Sequence, residues 1–281
     1  MMFDFAEKRP SEIPIVVLDT ETTGLMPEMG HRVIEIGAVR YENGQEVAKL
    51  NRLLNPKRKI EPSASRVNGI EDADLIGQLS FASFSQELIA FLDGALIVAH
   101  NARFDAGFLG MEFYIQGIQA KKPAFKLENP WLCTFELAKN YFHFGRNSLG
   151  HIANLLGVRM GQSHRALNDV YATAGIFKRM QQELSKQRFE TVGDLLYIQG
   201  GAIFSPYLEV GAISIDPLRI GLQEGKNVSI HYSSAKATST RIISPLYITY
   251  LNGSAYIVAY CHQAQDQRTF KLDRILNSRL T

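Results

Sequence analysis

The sequence has few cysteines and no long hydrophobic run. Its 281 residues include two cysteines and one tryptophan, which excludes a disulfide framework or a zinc site built from cysteines. No stretch reaches the roughly 20 apolar residues of a membrane helix, and we expect no secretory signal, because the first residues lack an apolar core. With 46% hydrophobic and 21% charged residues, disordered and collagen-like classes are excluded. We expect a globular, cytoplasmic protein with no membrane partner.

The net charge of +2 is the sum of two oppositely charged regions. Residues 224–281 hold seven basic and three acidic side chains, together with five of the eleven tyrosines. The rest of the chain holds 23 basic and 25 acidic side chains. Such a shift in composition indicates two units with different partners. We therefore expect one unit at residues 1–185, a connecting segment at 186–223 and a smaller unit at 224–281.

Hydrophobic periodicity predicts an α/β unit followed by a β unit. Apolar runs rich in β-branched residues predict buried strands at residues 15–18, 33–40, 46–53 and 95–99. Apolar residues at helical spacing predict helices at residues 83–92, 102–116, 134–142, 149–156 and 166–184. Asn43-Gly44 is a strong signal for a hairpin turn. Residues 186–223 show no long helical period, and alternation from Lys226 onward predicts strands.

Two acidic residues follow the first predicted strand. Asp19 and Glu21 are two positions apart, so in an extended strand both carboxylates project to the same face. Neighbouring carboxylates repel each other, and a bound hard cation is the usual way to keep both ionised. An exposed acidic strand end is the simpler interpretation of such a pair, and the pair alone leaves both open.

Three further residues extend this pattern. Asp105 follows the strand at 95–99 and a short loop, where it either joins an acidic site or caps a helix. His164 precedes Asp169 by five residues, which on a helix separates two side chains by roughly 140°. The two residues cannot share one helical face, so we expect His164 on the loop before a helix that bears Asp169. A loop histidine beside a fixed carboxylate suits a base that must reach a water molecule.

Three ordered segments resemble the motifs of a known family. Residues 17–25 (VLDTETTGL) resemble the first motif of DnaQ-like DEDDh 3′-to-5′ exonucleases, the class that includes proofreading subunits of bacterial replicative polymerases. Residues 98–105 (VAHNARFD) are similar to the second motif and residues 164–169 (HRALND) to the third. Residues 67–70 also match. The resemblance spans residues 13–183 and implies an RNase H-like α/β fold with a mixed sheet flanked by helices.

The resemblance implies a two-metal mechanism. Asp19, Glu21, Asp105 and Asp169 would hold two divalent cations, directly or through water, and oxygen ligands favour Mg²⁺ or Mn²⁺. Two such ions stabilise both the attacking and the leaving oxygen of an in-line phosphoryl displacement. His164 would accept a proton from the attacking water. By the resemblance, these five residues are the catalytic and metal-binding residues.

The same resemblance implies contacts with the substrate. The backbone around Thr22 and Gly24 would grip the terminal nucleotide, and Leu25 would pack on its base, although ordinary packing is an alternative for Leu25. Asn101 would steady the loop or the backbone. His100 is expected to be structural, because the family places its base at the later histidine. The implied partners are 3′ ends of single-stranded DNA or RNA.

The basic, tyrosine-rich tail has a signature of its own. Residues 268–275 (RTFKLDRI), with the alternating segments before them, resemble the WYL domain, a small Sm/SH3-like β-barrel found mainly in bacterial regulators. The naming tripeptide departs from the pattern, since residues 255–257 read Ala-Tyr-Ile. The resemblance implies a regulatory nucleic-acid or nucleotide ligand at four positions, Tyr232, Arg241, Arg268 and Arg274. A structural Asp273–Arg274 pair and tyrosines that fill the barrel are the alternative.

Two other functions stay open beside a 3′-to-5′ exonuclease with a nucleic-acid-binding tail. One is a nucleic-acid-responsive regulator in which the nuclease is secondary, although no convincing helix-turn-helix accompanies the tail. The other is a proofreading subunit bound to a polymerase. Neither a preference for DNA or RNA nor an oligomeric state follows from the sequence.

Overall fold

Two five-stranded sheets organise the chain. The computed structural model describes residues 5–161, 164–206, 216–234 and 237–281. Both cysteines are buried and free. Among the described residues, no helix combines the length and the apolar composition that crossing a membrane would require.

The first sheet is mixed. Its strands are β1 (Ile15–Thr22), β2 (Val33–Glu42), β3 (Gln45–Leu53), β4 (Leu96–Ala99) and β5 (Trp131–Cys133), in the spatial order β3-β2-β1-β4-β5. β1 pairs antiparallel with β2 and parallel with β4. The turn between β2 and β3 has positive φ at Asn43 and Gly44, 51° and 73°, as expected for a two-residue hairpin loop. The predicted mixed sheet is confirmed.

Helices cover both faces of this sheet. They are α1 (Pro62–Asn68), α2 (Phe81–Leu92), α3 (Ala102–Ala120), α4 (Thr134–Leu137), α5 (Leu149–Leu155), α6 (Ala166–Lys186) and α7 (Val192–Gln199). Val16 and Leu18 of β1 pack with α2 and α3 on one face, whereas Ile15 and Val17 pack with α6 and α7 on the other. Because side chains alternate along a strand, a strand buried on both faces is a continuous apolar run.

The structure contains several short helices and strands that the hydrophobic periodicity did not predict. α1, β5 and α7 were not predicted, because three to eight residues contain too little of a repeat to register as periodic. α7 lies in the segment that shows no long period, and it begins at a capping box in which Thr191 Oγ1 accepts from the Asp194 N–H at 3.1 Å. In place of the single helix predicted at 134–142, the structure has the short helix α4, followed by a π-helical turn at Ala138–Phe142.

The second sheet is antiparallel. After α8 (Asp216–Glu224) come β6 (Val228–Ser233), β7 (Thr238–Leu251), β8 (Ser254–Cys261), β9 (Asp266–Lys271) and β10 (Ile275–Leu280), in the spatial order β10-β6-β7-β8-β9. Leu218 of α8 packs with Val228, Ile230 and Ile243 in its core. No ladder joins β9 to β10 in the described part of the chain. The tail is therefore an antiparallel sheet covered by one helix, and β10 is a strand that the alternation did not predict.

Candidate active site

Four carboxylates from three elements interact at the carboxyl end of β1. Asp19 and Glu21 are on β1, whereas Asp105 and Asp169 are in the first turns of α3 and α6. Asp19 interacts electrostatically with each of the other three. β1 lies between β2 and β4 in the sheet. Helix α3 follows β4 along the chain, and α6 packs on β1 and β2. Both helices therefore begin near the carboxyl end of β1.

His164 lies beside this cluster. The structure places it before α6 with a positive φ of 61°, as the five-residue spacing from Asp169 predicts. Its backbone N–H donates to Asp169 Oδ2 at 3.0 Å, and its side chain is exposed. Ligand atoms of Glu21, His164 and Asp169 all lie within 4.8 Å of one another. The imidazole can therefore reach a molecule held by the carboxylates and remain in contact with solvent.

Thr20 orients the buried carboxylate of Asp105. The Thr20 backbone N–H and hydroxyl both donate to Asp105 Oδ1, at 3.0 and 2.7 Å. Asp105 is 2% exposed and lies one turn inside α3, whose N-terminal cap position is Asn101. Its hydrogen bonds thus join α3 to β1.

Burial raises the pKa of all four carboxyl groups. It raises the pKa of Glu21 to about 8, with repulsion from Asp169 as the next cause, and that of Asp105 to about 7 against the two Thr20 hydrogen bonds. The pKa of Asp19 is raised well above its usual value by burial and then by repulsion from Asp105. The pKa of Asp169 is raised by burial and lowered in part by the His164 N–H. Full ionisation near neutral pH therefore calls for a compensating positive charge.

The donor atoms fit a hard divalent cation. Asp169 is 6% exposed, and its Oδ1 is buried with no hydrogen-bond partner among the described residues. A buried, unpaired carboxylate oxygen is costly unless a ligand satisfies it. The cluster offers carboxylate oxygens and no thiolate, which suits Mg²⁺ or Mn²⁺.

A fifth carboxylate, Glu35, lies outside the three motifs, and the sequence did not predict its place in the site. It lies on β2 directly opposite Glu21 and is 1% exposed. It accepts hydrogen bonds from Arg165 Nη2 at 3.1 Å and from the Ala166 N–H at 3.2 Å. Glu35 therefore holds the backbone between His164 and α6. Its sequence signal was a single charged residue inside the apolar run that starts at Val33.

Asn68 supports Glu21 from α1. It is 4% exposed, its side-chain hydrogen bond lowers the pKa of Glu21, and its Nδ2 donates to the Thr22 carbonyl at 3.4 Å. Its Oδ1 accepts from the Ile70 N–H at 3.0 Å. Asn68 belongs to the segment 67–70, which carried part of the family resemblance.

The residues expected to grip the substrate follow Glu21 directly. Thr22 Oγ1 donates to the Gly24 carbonyl at 2.6 Å. A Cβ on Gly24 would lie 2.4 Å from the His31 ring, so only glycine fits there. Leu25 is 77% exposed, which excludes ordinary core packing for this side chain. Asn101 is exposed at the start of α3 with φ of 66° and makes no side-chain capping bond.

His100 is a structural residue, as expected. Its two ring nitrogens bond Thr134 Oγ1 at 2.9 Å and the Asn147 carbonyl at 2.8 Å. Burial lowers the pKa of His100 to about 4. With both nitrogens engaged and the ring neutral, it links β4 to the loop before α5.

Tyr232 lies on β6, and Arg274 lies in the short turn between β9 and β10. The Tyr232 ring packs edge-on against Phe270 with centroids 5.1 Å apart, and its hydroxyl accepts from the Lys271 N–H at 3.3 Å. Tyr232 pairs with the residue after Arg274, and Arg274 is exposed. Asp273 pairs with Lys271 Nζ at 2.8 Å.

Arg241 and Arg268 already have partners. Arg241 Nε donates to Ser239 Oγ at 3.1 Å. Arg268 Nη1 donates to Asp266 Oδ2 at 2.7 Å, and its side chain is 49% exposed. Arg268 therefore already forms an ion pair with a residue of its own strand, β9.

Sequence comparisons agree with the motifs. A family model described as exonuclease, RNase_T, matches residues 16–177, and a WYL domain model matches residues 214–280. DNA polymerase III subunit epsilon of Treponema pallidum (strain Nichols) is 31% identical over 219 residues, which is 77% of this chain and 97% of that protein. The PolC-type DNA polymerase III of Thermotoga petrophila is 36% identical over 171 residues, which is 61% of this chain. The match spans only 12% of that polymerase.

A solved structure gives the fold. The zinc-bound complex of E. coli exonuclease I with single-stranded DNA matches with a TM-score of 0.56 at 17% identity, over 88% of this chain and 54% of that one. A match of this extent includes part of the second sheet. The predicted RNase H-like α/β fold is confirmed. The chain belongs to the exonuclease family of DnaQ-like, DEDDh type and carries a C-terminal WYL domain.

Proposed function

We propose that the protein is a 3′-to-5′ exonuclease that hydrolyses phosphodiester bonds at the 3′ ends of single-stranded DNA or RNA by a two-metal mechanism. One observation carries the proposal. Four interacting carboxylates lie beside the exposed ring of His164. Within this cluster, Asp169 Oδ1 is buried and has no hydrogen-bond partner among the described residues. Membership of the exonuclease family supports the same activity.

The carboxylates of Asp19, Glu21, Asp105 and Asp169 would hold two divalent cations, Mg²⁺ or Mn²⁺. When bound, such a pair of ions stabilises the attacking and leaving oxygens of a phosphoryl displacement. The protein's own part is to keep these side chains in place. Thr20 holds Asp105 by two hydrogen bonds, which favour the ionised form of that carboxylate.

His164 would act as the general base. Its ring would accept the proton of the attacking water and pass it to solvent, with which it is in contact. The backbone of His164 is bonded to Asp169, and the next residue, Arg165, pairs with Glu35. The histidine is therefore held at its backbone while its ring keeps rotational freedom.

The loop after Glu21 would bind the terminal nucleotide. The backbone around Thr22 and Gly24 offers polar groups to sugar and phosphate, and the exposed Leu25 offers an apolar surface for the base. Asn101, exposed at the start of α3, would steady the loop or the backbone. The exonuclease I complex, whose partner is single-stranded DNA, supports a single-stranded substrate.

The C-terminal unit would bind or sense nucleic acid. We propose an Sm/SH3-like barrel for it, because β10 returns to pair with β6, the first strand of the sheet, and because β7 is 14 residues long with an irregular register at Pro245. Tyr232, Arg241, Arg268 and Arg274 would contact a nucleic-acid or nucleotide ligand through stacking and phosphate pairing.

The test of the activity uses end-labelled single-stranded DNA and RNA with Mg²⁺ or Mn²⁺. We expect stepwise shortening from the 3′ end, abolished in Asp19→Ala and strongly reduced in His164→Ala. Addition of a chelator should stop the wild-type reaction. Undiminished shortening by Asp19→Ala, or no shortening of any substrate by the wild type with either metal, would overturn the proposal.

A further inference from the structure

Helix α3 and the C-terminal sheet share a buried cluster of side chains, which we call the seam. Five residues, each at most 3% exposed, form it: Met111, Tyr114, Ile115, Tyr247 and Val258. The Tyr114 hydroxyl also donates to the Ile248 carbonyl at 2.8 Å. Tyr114 lies on α3, the helix that bears Asp105. The seam therefore joins the C-terminal sheet to a helix of the active site.

A loop next to the seam connects β1 to β2; we call it the 23–32 loop. Its ends are bonded to each other, since the Thr23 N–H donates to the Arg32 carbonyl at 2.8 Å and the Arg32 N–H donates to Thr23 Oγ1 at 2.9 Å. Leu25 and Met26 are 77% and 45% exposed on it. The loop begins two residues after Glu21, so its position determines where the 3′ nucleotide would be gripped.

The C-terminal sheet contacts the backbone of this loop directly. Thr269 Oγ1 on β9 donates to the Met29 carbonyl at 2.6 Å. Gly30 has φ of +85°, and a Cβ there would lie 3.1 Å from Val258 Cγ1 and 3.3 Å from Thr269 Oγ1. Glycine thus meets two requirements at once, the left-handed backbone and the close approach of β8 and β9.

Two largely buried arginines, Arg32 and Arg58, hold the 23–32 loop by hydrogen bonds. Arg32 makes a bidentate pair with Glu112 of α3, at 2.8 and 2.6 Å. The Arg58 side chain is 5% exposed and donates to the Gly30 carbonyl. Tyr247 interacts electrostatically with Arg32 and Arg58, so the seam and the loop form one continuous packed region.

We propose that the C-terminal sheet is a positioning element of the exonuclease site, in which Thr269, Val258 and Tyr247 hold the 23–32 loop in the arrangement that grips the 3′ nucleotide. The inference rests on the proposed function, and it adds a second role to the sheet beside ligand binding. A C-terminal sheet that was joined to the first unit only through the chain would not influence the position of the 23–32 loop. A ligand that displaced this sheet would change the affinity for the 3′ end, so the same contacts couple the two units.

The test uses Thr269→Val in the full chain, which keeps the side-chain shape and removes the donor to Met29. We expect the KM for a short single-stranded oligonucleotide to rise about five-fold with kcat nearly unchanged, the size of effect of one neutral hydrogen bond. Amide hydrogen exchange should accelerate at residues 26–30. Thr269→Ser keeps the hydroxyl and should restore both values.

Thr240→Val is the matched control. Thr240 is exposed on β7 of the same sheet, and its hydroxyl bonds His231 instead of the first unit, so we expect wild-type KM and wild-type exchange at the loop. Unchanged KM and unchanged loop exchange in Thr269→Val would overturn the inference. If the wild type shortened no oligonucleotide, the proposed function would fail, while loop exchange would still decide the positioning contact.

Discussion

Thr20 donates from both its backbone N–H and its hydroxyl to one oxygen of Asp105, at 3.0 and 2.7 Å. Thr20 lies between Asp19 and Glu21 on β1, so the strand that supplies two carboxylates also orients a third. The two bonds lower the pKa of Asp105, which burial raises to about 7. The position of α3 against β1 is thereby coupled to the charge state of the site.

Loss of the Thr20 hydroxyl should impair the site. In Thr20→Val we expect kcat/KM to fall by about ten- to a hundred-fold, because a hydrogen bond to a charged group contributes about 1.5–3 kcal/mol. Thr173→Val is the control, since the Thr173 hydroxyl is buried without a partner among the described residues and its removal should be neutral or stabilising. Steady-state kinetics and thermal unfolding measure both. Equal losses in the two variants would contradict the assigned bond.

Gly37 should tolerate no side chain. It pairs with Asp19 across β1 and β2, and a Cβ there would lie 2.5 Å from the backbone of Ala166 and of Leu167. Gly37→Ala therefore displaces the start of α6 with Asp169, and misplacement of a catalytic group by about 1 Å costs on the order of a hundred-fold in rate.

The control for this change is another glycine-to-alanine substitution. Gly107 lies inside α3, and a Cβ there would meet nothing within 4 Å. Gly107→Ala should keep full activity and raise stability by up to about 1 kcal/mol, the helix-propensity difference. Wild-type activity in Gly37→Ala would show that β2 and α6 are not in this close contact.

Glu35→Gln should reduce activity more than it reduces stability. The change removes the charge that holds Arg165 and the turn that bears His164, but Arg165 is 42% exposed and stays solvated. We expect a loss of about ten-fold in the single-turnover rate, comparable to the loss of one charged hydrogen bond. Glu87→Gln, in a pair whose side chains are 48% and 50% exposed, should change neither property measurably. An unaffected rate in Glu35→Gln would exclude this positioning role.

The metal-free protein should lose stability as pH rises. The folded state raises the pKa of Glu21 from 4.5 to about 8, so between these values the folded protein holds a proton that the unfolded chain has released. Stability therefore declines from pH 4.5 to about 8. We expect saturating Mg²⁺ to raise the melting temperature and to flatten this dependence, and Glu21→Gln to weaken it without metal. Calorimetry across this pH range, with and without Mg²⁺, would show a metal-independent slope if the carboxylates did not bind cations.

The direction of each acidic side chain could be predicted because its signals are local, whereas the family resemblance joined the four carboxylates into one site. Asp19 and Glu21 share a strand face by the two-residue repeat. Asp169 follows His164 by five positions, a spacing that puts one residue on a loop and the other on a helix. Asp105 follows a buried strand in the same way. Each of these relations involves at most a few neighbouring residues. Over such short spacings, the geometry of the backbone alone determines the direction in which each side chain projects.

Other parts of the site depend on contacts that no local pattern contains. Glu35 and Asn68 join the cluster from β2 and α1. The side chain of Arg58 is 5% exposed although it lies between two lysines. Short elements such as β5 have no period to detect. Their placement follows from packing around both faces of the first sheet.

The amino-acid sequence by itself determines the two units, the strand and helix that present each carboxylate, and the family. The contact of Thr269 with Met29 bridges 240 positions along the chain, and it arises only when both sheets are folded and the seam has excluded water. Local spacing determines side-chain directions through backbone geometry. Residues far apart in the sequence come together through the burial of apolar surface, which is non-directional, so the packing of the whole chain decides which of them meet.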